Sequence, residues 1–180
     1  PYCFERHRLS RGQEWLCKTL SEEMADAIFK AVEKEKARGV KARSCTLYGG
    51  EPFLEKNRKI VRSIVRKAAA AGMTLGAITN GYCLDSFLDL LTEYPFESIQ
   101  ITLDGTENVY NRRKAYIYRE GSAFHRVIRN IGLLANKGVK VNVRLNVDEK
   151  NADDLLDLAC FLKDRFGGHP RINVYSRLLY

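Results

Sequence analysis

The run Ser44-Cys45-Thr46-Leu47-Tyr48-Gly49-Gly50-Glu51-Pro52-Phe53 sets two glycines and a carboxylate at the end of a short β-prone stretch. Adjacent glycines let the backbone take positive φ and approach a ligand where a Cβ would stand in the way. Pro52 removes a backbone donor and fixes φ, so the strand must stop and Glu51 is held at its carboxyl end. That pairing suits a cationic ligand. An ammonium meeting a carboxylate or carbonyl forms a charge-assisted hydrogen bond worth about 1.5–3 kcal/mol. The same residues also compose an ordinary strand-to-helix turn with a solvated glutamate. Three later stretches close β-prone runs on polar residues: Ile78-Thr79-Asn80-Gly81, Thr102-Leu103-Asp104-Gly105 and Arg144-Leu145-Asn146-Val147-Asp148.

Helices and strands must carry these groups. Met24, Ala27, Ile28, Ala31 and Val32 recur at helical spacing behind a Thr19/Glu22 capping box, and a strand follows over Ser44 to Tyr48. A second helix bears Ile60, Ile64 and Ala68, residues 73–79 read as a strand, and Leu84, Phe87, Leu88 and Leu91 mark a helix that stops before Pro95. Ser98 to Leu103 is a strand. Ser122 opens a helix with Phe124, Val127, Ile128, Ile131 and Leu134 on one face. Lys140 to Asp148 is a strand, Asn151 begins a helix bearing Leu155, Ala159, Leu162 and Phe166, and Arg171 to Ser176 is the last strand.

Five strands alternating with five helices specify parallel strands joined by right-handed crossovers, hence a doubly wound sheet or a whole or partial βα barrel. Strands covered on both faces read as continuous apolar runs. These alternate instead: Gln100, Thr102, Asp104, Asn142, Arg144, Asn146, Asp148, Asn173 and Tyr175 take one parity, and Ile99, Ile101, Leu103, Val143, Leu145, Ile172 and Val174 the other. One wet face shared by several strands is the lumen of a barrel. The long connection 105–121 leaves a strand's carboxyl end, the rim where βα barrels place their sites.

The chain has 180 residues, 45% of them apolar, enough for one domain that buries roughly 70% of its unfolded surface. It holds no apolar run of the ~18 residues a membrane span needs, and no secretory signal at its start. Five cysteines at irregular spacing fit neither a disulfide framework nor a zinc pattern, which points to a reducing compartment. The net charge of +8 favours anionic partners. Arg58, Lys59, Arg62, Arg66 and Lys67 read as a solvated helix face without the interleaved aromatics of a nucleic-acid platform. Arg112, Arg113, Lys114 and Arg119, among Tyr110, Tyr116 and Tyr118, form a basic segment placed to meet an anionic peptide, or else a solvated loop.

Taken in order with Pro1-Tyr2-Cys3, these motifs resemble the radical S-adenosylmethionine (radical SAM) superfamily, most closely its peptide-modifying branch with a C-terminal SPASM extension. The resemblance covers nearly the whole chain. It implies a partial (βα)6-type TIM-like barrel of parallel strands, with residues 1–180 as the radical SAM core domain, the first strand before Pro1 and the extension after Tyr180. In that family three thiolates hold a [4Fe-4S] cluster, whose fourth iron chelates the methionine amino and carboxylate groups of S-adenosylmethionine. Electron transfer then cleaves the sulfonium to a 5′-deoxyadenosyl radical, which abstracts hydrogen.

Pro1-Tyr2-Cys3 looks like the end of a CxxxCxxC motif. By resemblance, Cys3 is the third thiolate and Tyr2 packs on adenine, while two further cysteines lie upstream, so the 180-residue chain alone is expected to be inactive. Gly49, Gly50 and Glu51 would receive the α-ammonium, and Asn80 joins the cofactor-binding set. Thr102 and Arg126 would meet the methionine carboxylate, Arg144 and Asn146 the ribose side, and Asp104 would cap its turn. Cys17, Cys45, Cys83 and Cys160 have no ligand spacing, and no catalytic residue is named. The resemblance implies a peptide or protein substrate, an electron donor such as flavodoxin or ferredoxin, and a cytoplasmic enzyme. Two other readings stand beside it: a radical SAM enzyme acting on a small molecule or nucleoside, and a non-catalytic α/β ligand-binding domain.

Overall fold

The computed structural model describes residues 19–114 and 122–178. The β-prone runs become five strands: β1 (Ser44–Leu47), β2 (Thr74–Thr79), β3 (Phe96–Leu103), β4 (Val141–Val147) and β5 (Ile172–Leu178). Among the described residues they alternate with helices α1 (Glu22–Ala37), α2 (Arg58–Ala70), α3 (Leu88–Glu93), α4 (Glu107–Lys114), α5 (Ala123–Asn136) and α6 (Asp154–Phe166). The strands pair in parallel in chain order, β1-β2-β3-β4-β5. A doubly wound sheet reverses its strand order at a switch point. Unbroken order with right-handed crossovers instead stacks the helices on one face and leaves the other as a lumen, which is the architecture of a partial TIM-like barrel.

Register puts the polar residues on that lumen face. Gln100 stands beside Asn142 and Asn142 beside Asn173, while Thr102 stands beside Arg144 and Arg144 beside Tyr175. The opposite parity carries Ile99, Ile101, Leu103, Val141 and Val143, all fully buried beneath the helices. Onto them α5 presses Val127, Ile131 and Leu134, and α6 presses Leu158 and Leu162. Val174 and Leu178 share the helix-side parity but stay exposed, at 39% and 60%, on the last strand of the sheet.

Several local expectations change. Helix α1 is capped by Ser21, whose hydroxyl accepts from the Met24 N–H at 3.2 Å, not by Thr19; Glu22 turns to Ser63 instead, at 2.6 Å. Met24 and Ile28 are exposed, because α1 meets the rest of the chain through Ala25 and Phe29. On α6 Leu158 is buried and Ala159 exposed, the neighbouring position winning the core face. The connection 105–121 is not loop throughout, since α4 occupies Glu107–Lys114. That helix has no apolar period, and what favours it is charge placement: Glu107 in the first turn and Arg112, Arg113 and Lys114 in the last complement the helix dipole. Helix α3 does end where Pro95 requires, with Tyr94 in extended backbone.

Gly81, after β2, takes φ +82°, and a Cβ there would lie 2.8 Å from Ile101 Cγ2 and 3.1 Å from Val127 Cγ1. Gly81→Ala is therefore expected to destabilise the fold by about 2–3 kcal/mol, through strained φ and overpacking together. A urea titration reads this as a lower midpoint at unchanged slope. An unchanged midpoint would show that the turn relocates at no cost.

Candidate functional site

The carboxyl ends of the strands form one rim, and the Glu51 carboxylate staples its first two loops. Oε1 accepts from the Phe53 N–H at 3.0 Å and from the Thr79 hydroxyl at 2.6 Å, and Oε2 accepts from the Asn80 N–H at 2.8 Å. Burial pushes the Glu51 carboxyl above the usual range, against these three donors and the Lys114 charge. The solvated glutamate allowed by the sequence is thus replaced by one engaged inside the protein. At Gly49 and Gly50 a Cβ would meet nothing within 4 Å among the described residues.

On the second loop the Asn80 side chain accepts from the Tyr82 N–H at 2.9 Å, an Asx turn. Asn130 of α5 holds the loop from beneath, donating to the Gly81 and Tyr82 carbonyls at 2.8 and 3.0 Å. Arg126 lies 4.3 Å over the Tyr82 ring and grips Asp85 with two hydrogen bonds, at 3.1 and 2.9 Å. This bidentate pair raises the guanidinium's already high pKa and engages the arginine that the resemblance assigns to a ligand carboxylate.

At the end of β3, Asp104 is fully buried. Its Oδ2 is 3.0 Å from Lys114 Nζ and its Oδ1 accepts from Asn146 Nδ2 at 3.0 Å. Asp104 therefore does more than cap a turn. Asn151 ties the ends of β3 and β4 together, donating to the Asp104 and Asn146 carbonyls at 2.7 and 2.8 Å. Beside them Arg113 forks onto Asp148 at 3.0 and 2.6 Å. Arg113 first, with the Lys150 N–H, holds the Asp148 carboxyl below the usual carboxylate range. Sequence reasoning missed Lys114, Asn130 and Asn151 as parts of the rim: Asn130 and Asn151 reach the Gly81 and Asp104 carbonyls 49 and 47 residues away, and Lys114 meets Asp104 only once α4 has formed. The basic segment expected to face a peptide is partly turned inward: Tyr110 and Lys114 are buried and Arg113 is bonded to Asp148. Tyr116, Tyr118 and Arg119 lie outside the described residues.

Deeper in the lumen the Tyr175 hydroxyl donates to Gln100 at 2.6 Å. Among the described residues two polar atoms there are buried without a hydrogen-bond partner, Arg144 Nε and Asn146 Oδ1. Thr102 adjoins Arg144 in register. A lumen that offers a cation and an acceptor beneath an open glycine edge fits S-adenosylmethionine, which carries a carboxylate and several N–H and O–H donors. Tyr2 and Cys3 lie outside the described residues. Among the described residues no three His, Cys, Asp or Glu side chains are placed to hold a metal ion, and burial pushes the Cys45 and Cys83 thiols up. No described helix is long and apolar enough to cross a membrane.

One-sided βα architecture with a polar lumen defines a partial TIM-like barrel domain whose candidate site is at the carboxyl ends of its strands. Residues 1–162 match the family model of the Radical SAM superfamily, and the chain belongs to that superfamily. The S-adenosylmethionine-dependent nucleotide dehydratase of Psychrobacter lutiphocae is 24% identical over 164 residues, 87% of this chain and 54% of that protein. The sporulation killing factor maturation protein SkfB of Bacillus subtilis is 29% identical over 128 residues, 71% of this chain and 29% of that protein. The chain thus spans about half of the first relative and under a third of the second. Native anSMEcpe with bound AdoMet and Kp18Cys peptide superposes with a TM-score of 0.68 at 17% identity, over 89% of this chain and 44% of that one. At that identity the likeness shows the fold.

Two expectations follow from the rim. Glu51→Ala strands three donors, so it is expected to lower folding stability by about 2–3 kcal/mol, measured by urea unfolding. Stability equal to wild type would mean that the staple does not hold the loops. The depressed Asp148 carboxyl contributes stability above its unfolded pKa and loses it as pH falls through the folded value. Asp148→Asn is therefore expected to destabilise at pH 7, with the gap to wild type closing below about pH 4. A gap constant from pH 7 to pH 3 would contradict the ion pair.

Proposed function

We propose that this chain is the S-adenosylmethionine-binding core of a radical enzyme that abstracts hydrogen from a peptide or protein. The observation that carries the reading is the pair of buried atoms, Arg144 Nε and Asn146 Oδ1, that have no hydrogen-bond partner among the described residues, in a lumen where Tyr175 and Gln100 bond each other. When bound, a [4Fe-4S] cluster supplies a reducing electron and S-adenosylmethionine the 5′-deoxyadenosyl radical. Cys3, with two cysteines upstream, would hold the cluster, and Tyr2 would pack on adenine.

The chain's own residues bind and orient. The bare backbone of Gly49 and Gly50 meets the α-ammonium together with Glu51, whose Oε2 accepts from the Asn80 N–H and keeps a second acceptor site. Thr102 and Arg144 take the methionine carboxylate in place of Arg126, whose guanidinium grips Asp85. Asn146 accepts from a ribose hydroxyl, and Asn80 shapes the loop that follows β2. A peptide substrate is supported by the maturation protein SkfB and by the peptide carried in the anSMEcpe structure. A flavodoxin or ferredoxin as electron donor and a cytoplasmic setting complete the proposal.

A nucleotide substrate is the second reading. The nucleotide dehydratase matches more of the chain than SkfB does, and Arg177 extends the cationic wall of the lumen beside Asn146.

The test is anaerobic reconstitution of the full-length protein with iron and sulfide. A brown product that Cys3→Ala largely abolishes, and 5′-deoxyadenosine formed from S-adenosylmethionine with dithionite, are the expected results. A cluster-loaded protein that neither binds nor cleaves S-adenosylmethionine would favour the plain binding domain.

A further inference from the structure

We infer that Asp104 and Lys114 are a positioning pair that fixes the direction of the Asn146 amide, so that its Oδ1 is presented to the lumen as an acceptor for an N–H or O–H donor. The ligand half of this inference rests on the reading of the lumen as an S-adenosylmethionine site. A side-chain amide can sit either way round in its slot, and only its neighbours decide which end is the donor. Asn146 is 2% exposed and its neighbour is the fully buried Asp104, with Nδ2 at 3.0 Å from Oδ1. A carboxylate can only accept, so the amide must turn its NH2 toward Asp104 and its oxygen away.

Asp104 must itself stay ionised for this to hold, and a buried carboxylate needs a paired charge. Lys114 supplies it, with Nζ 3.0 Å from the other carboxylate oxygen and the residue 8% exposed. An ammonium only donates, so every polarity in the chain from Lys114 through Asp104 to Asn146 is set by the cation at its far end. Asn151 meanwhile holds both backbones, bridging the Asp104 and Asn146 carbonyls, so the amide cannot escape by sliding along the strand. What remains is one buried oxygen, Asn146 Oδ1, with no partner among the described residues. Native interiors rarely leave such a group unpaired without a role for it. Helix α4, which no apolar period announces, thereby acts on the lumen through two intermediaries and without touching a ligand.

The test combines binding with a double-mutant cycle in the full-length, cluster-loaded protein, with S-adenosylmethionine as the probe and thermal melting of each variant as a control. Asp104→Asn can offer either end of its own amide and so frees Asn146 to flip. It is expected to weaken binding about fivefold in the wild-type background and not at all in an Asn146→Ala background. Lys114→Met should behave like Asp104→Asn, and Lys114→Arg, which keeps the charge, should retain affinity. An equal loss in both backgrounds would show that Asp104 acts independently of Asn146 and would overturn the inference, as would full affinity in Asp104→Asn. A second readout needs no ligand. In 15N-labelled protein one Asn146 side-chain amide proton should exchange slowly, lose that protection in Asp104→Asn and keep it in Lys114→Arg. Protection that survives Asp104→Asn would refute the positioning. Failure of the wild-type protein to bind S-adenosylmethionine would remove the proposed function and the ligand half of the inference, leaving the amide spectrum to decide the orientation.

Discussion

A strand turns alternate side chains to opposite faces, and parallel strands in register keep each parity on a common face across the whole sheet. Everything else in this domain depends on that constraint. Because the strands also follow one another in chain order, the helices collect on one side and meet Ile99, Ile101, Val141 and Val143. The other parity, Gln100, Thr102, Asn142, Arg144 and Tyr175, has no helix among the described residues to cover it and lines a lumen. A one-residue slip of β4 against β3 would drive Arg144 under α5 and expel Val143. The desolvation of an unpaired guanidinium makes such a register untenable.

The rim above the lumen is held by polar bonds rather than apolar packing. Glu51 joins the first two loops, Asn130 supports the second from α5, and Asn151 fastens the end of β3 to the end of β4. Each bond contributes only about 1 kcal/mol net, but losing one partner leaves buried donors stranded. Charged pairs on the outer surface are of another kind. Arg62 with Asp89 and Glu93, and Lys67 with Glu22 and Asp26, lie in water, where such pairs contribute at most about 1 kcal/mol each. The cationic stripe on α2 is therefore a solvated face, whereas the polar bonds of the rim are partly or fully buried.

Membership of the Radical SAM superfamily fits this division of labour. A barrel lumen supplies a shielded chamber, and the loops at strand ends can vary without disturbing the apolar side. Relatives with different names, a nucleotide dehydratase and a sporulation killing factor maturation protein, align with the same core.

The alternation of βα units, the polar parity of the strands and the motifs at their ends were all legible in the sequence, because each depends on residues within a few positions of one another. Gly49-Gly50-Glu51 and Asn80-Gly81 announce sharp turns wherever they occur. Helix α4 was not legible, since its stability comes from charge placement and from burying Tyr110 and Lys114 rather than from a repeating apolar face. The partners of polar side chains were equally hidden: Glu51 with Thr79, Arg126 with Asp85, and Asp104 with Lys114 and Asn146. Sequence by itself determined which residues stand at the ends of the strands. Only the tertiary structure decided which of them are bound to one another and which, like Arg144 and Asn146, keep a buried atom unpaired among the described residues, because a hydrogen bond depends on separations of about 3 Å that strand order and register bring about.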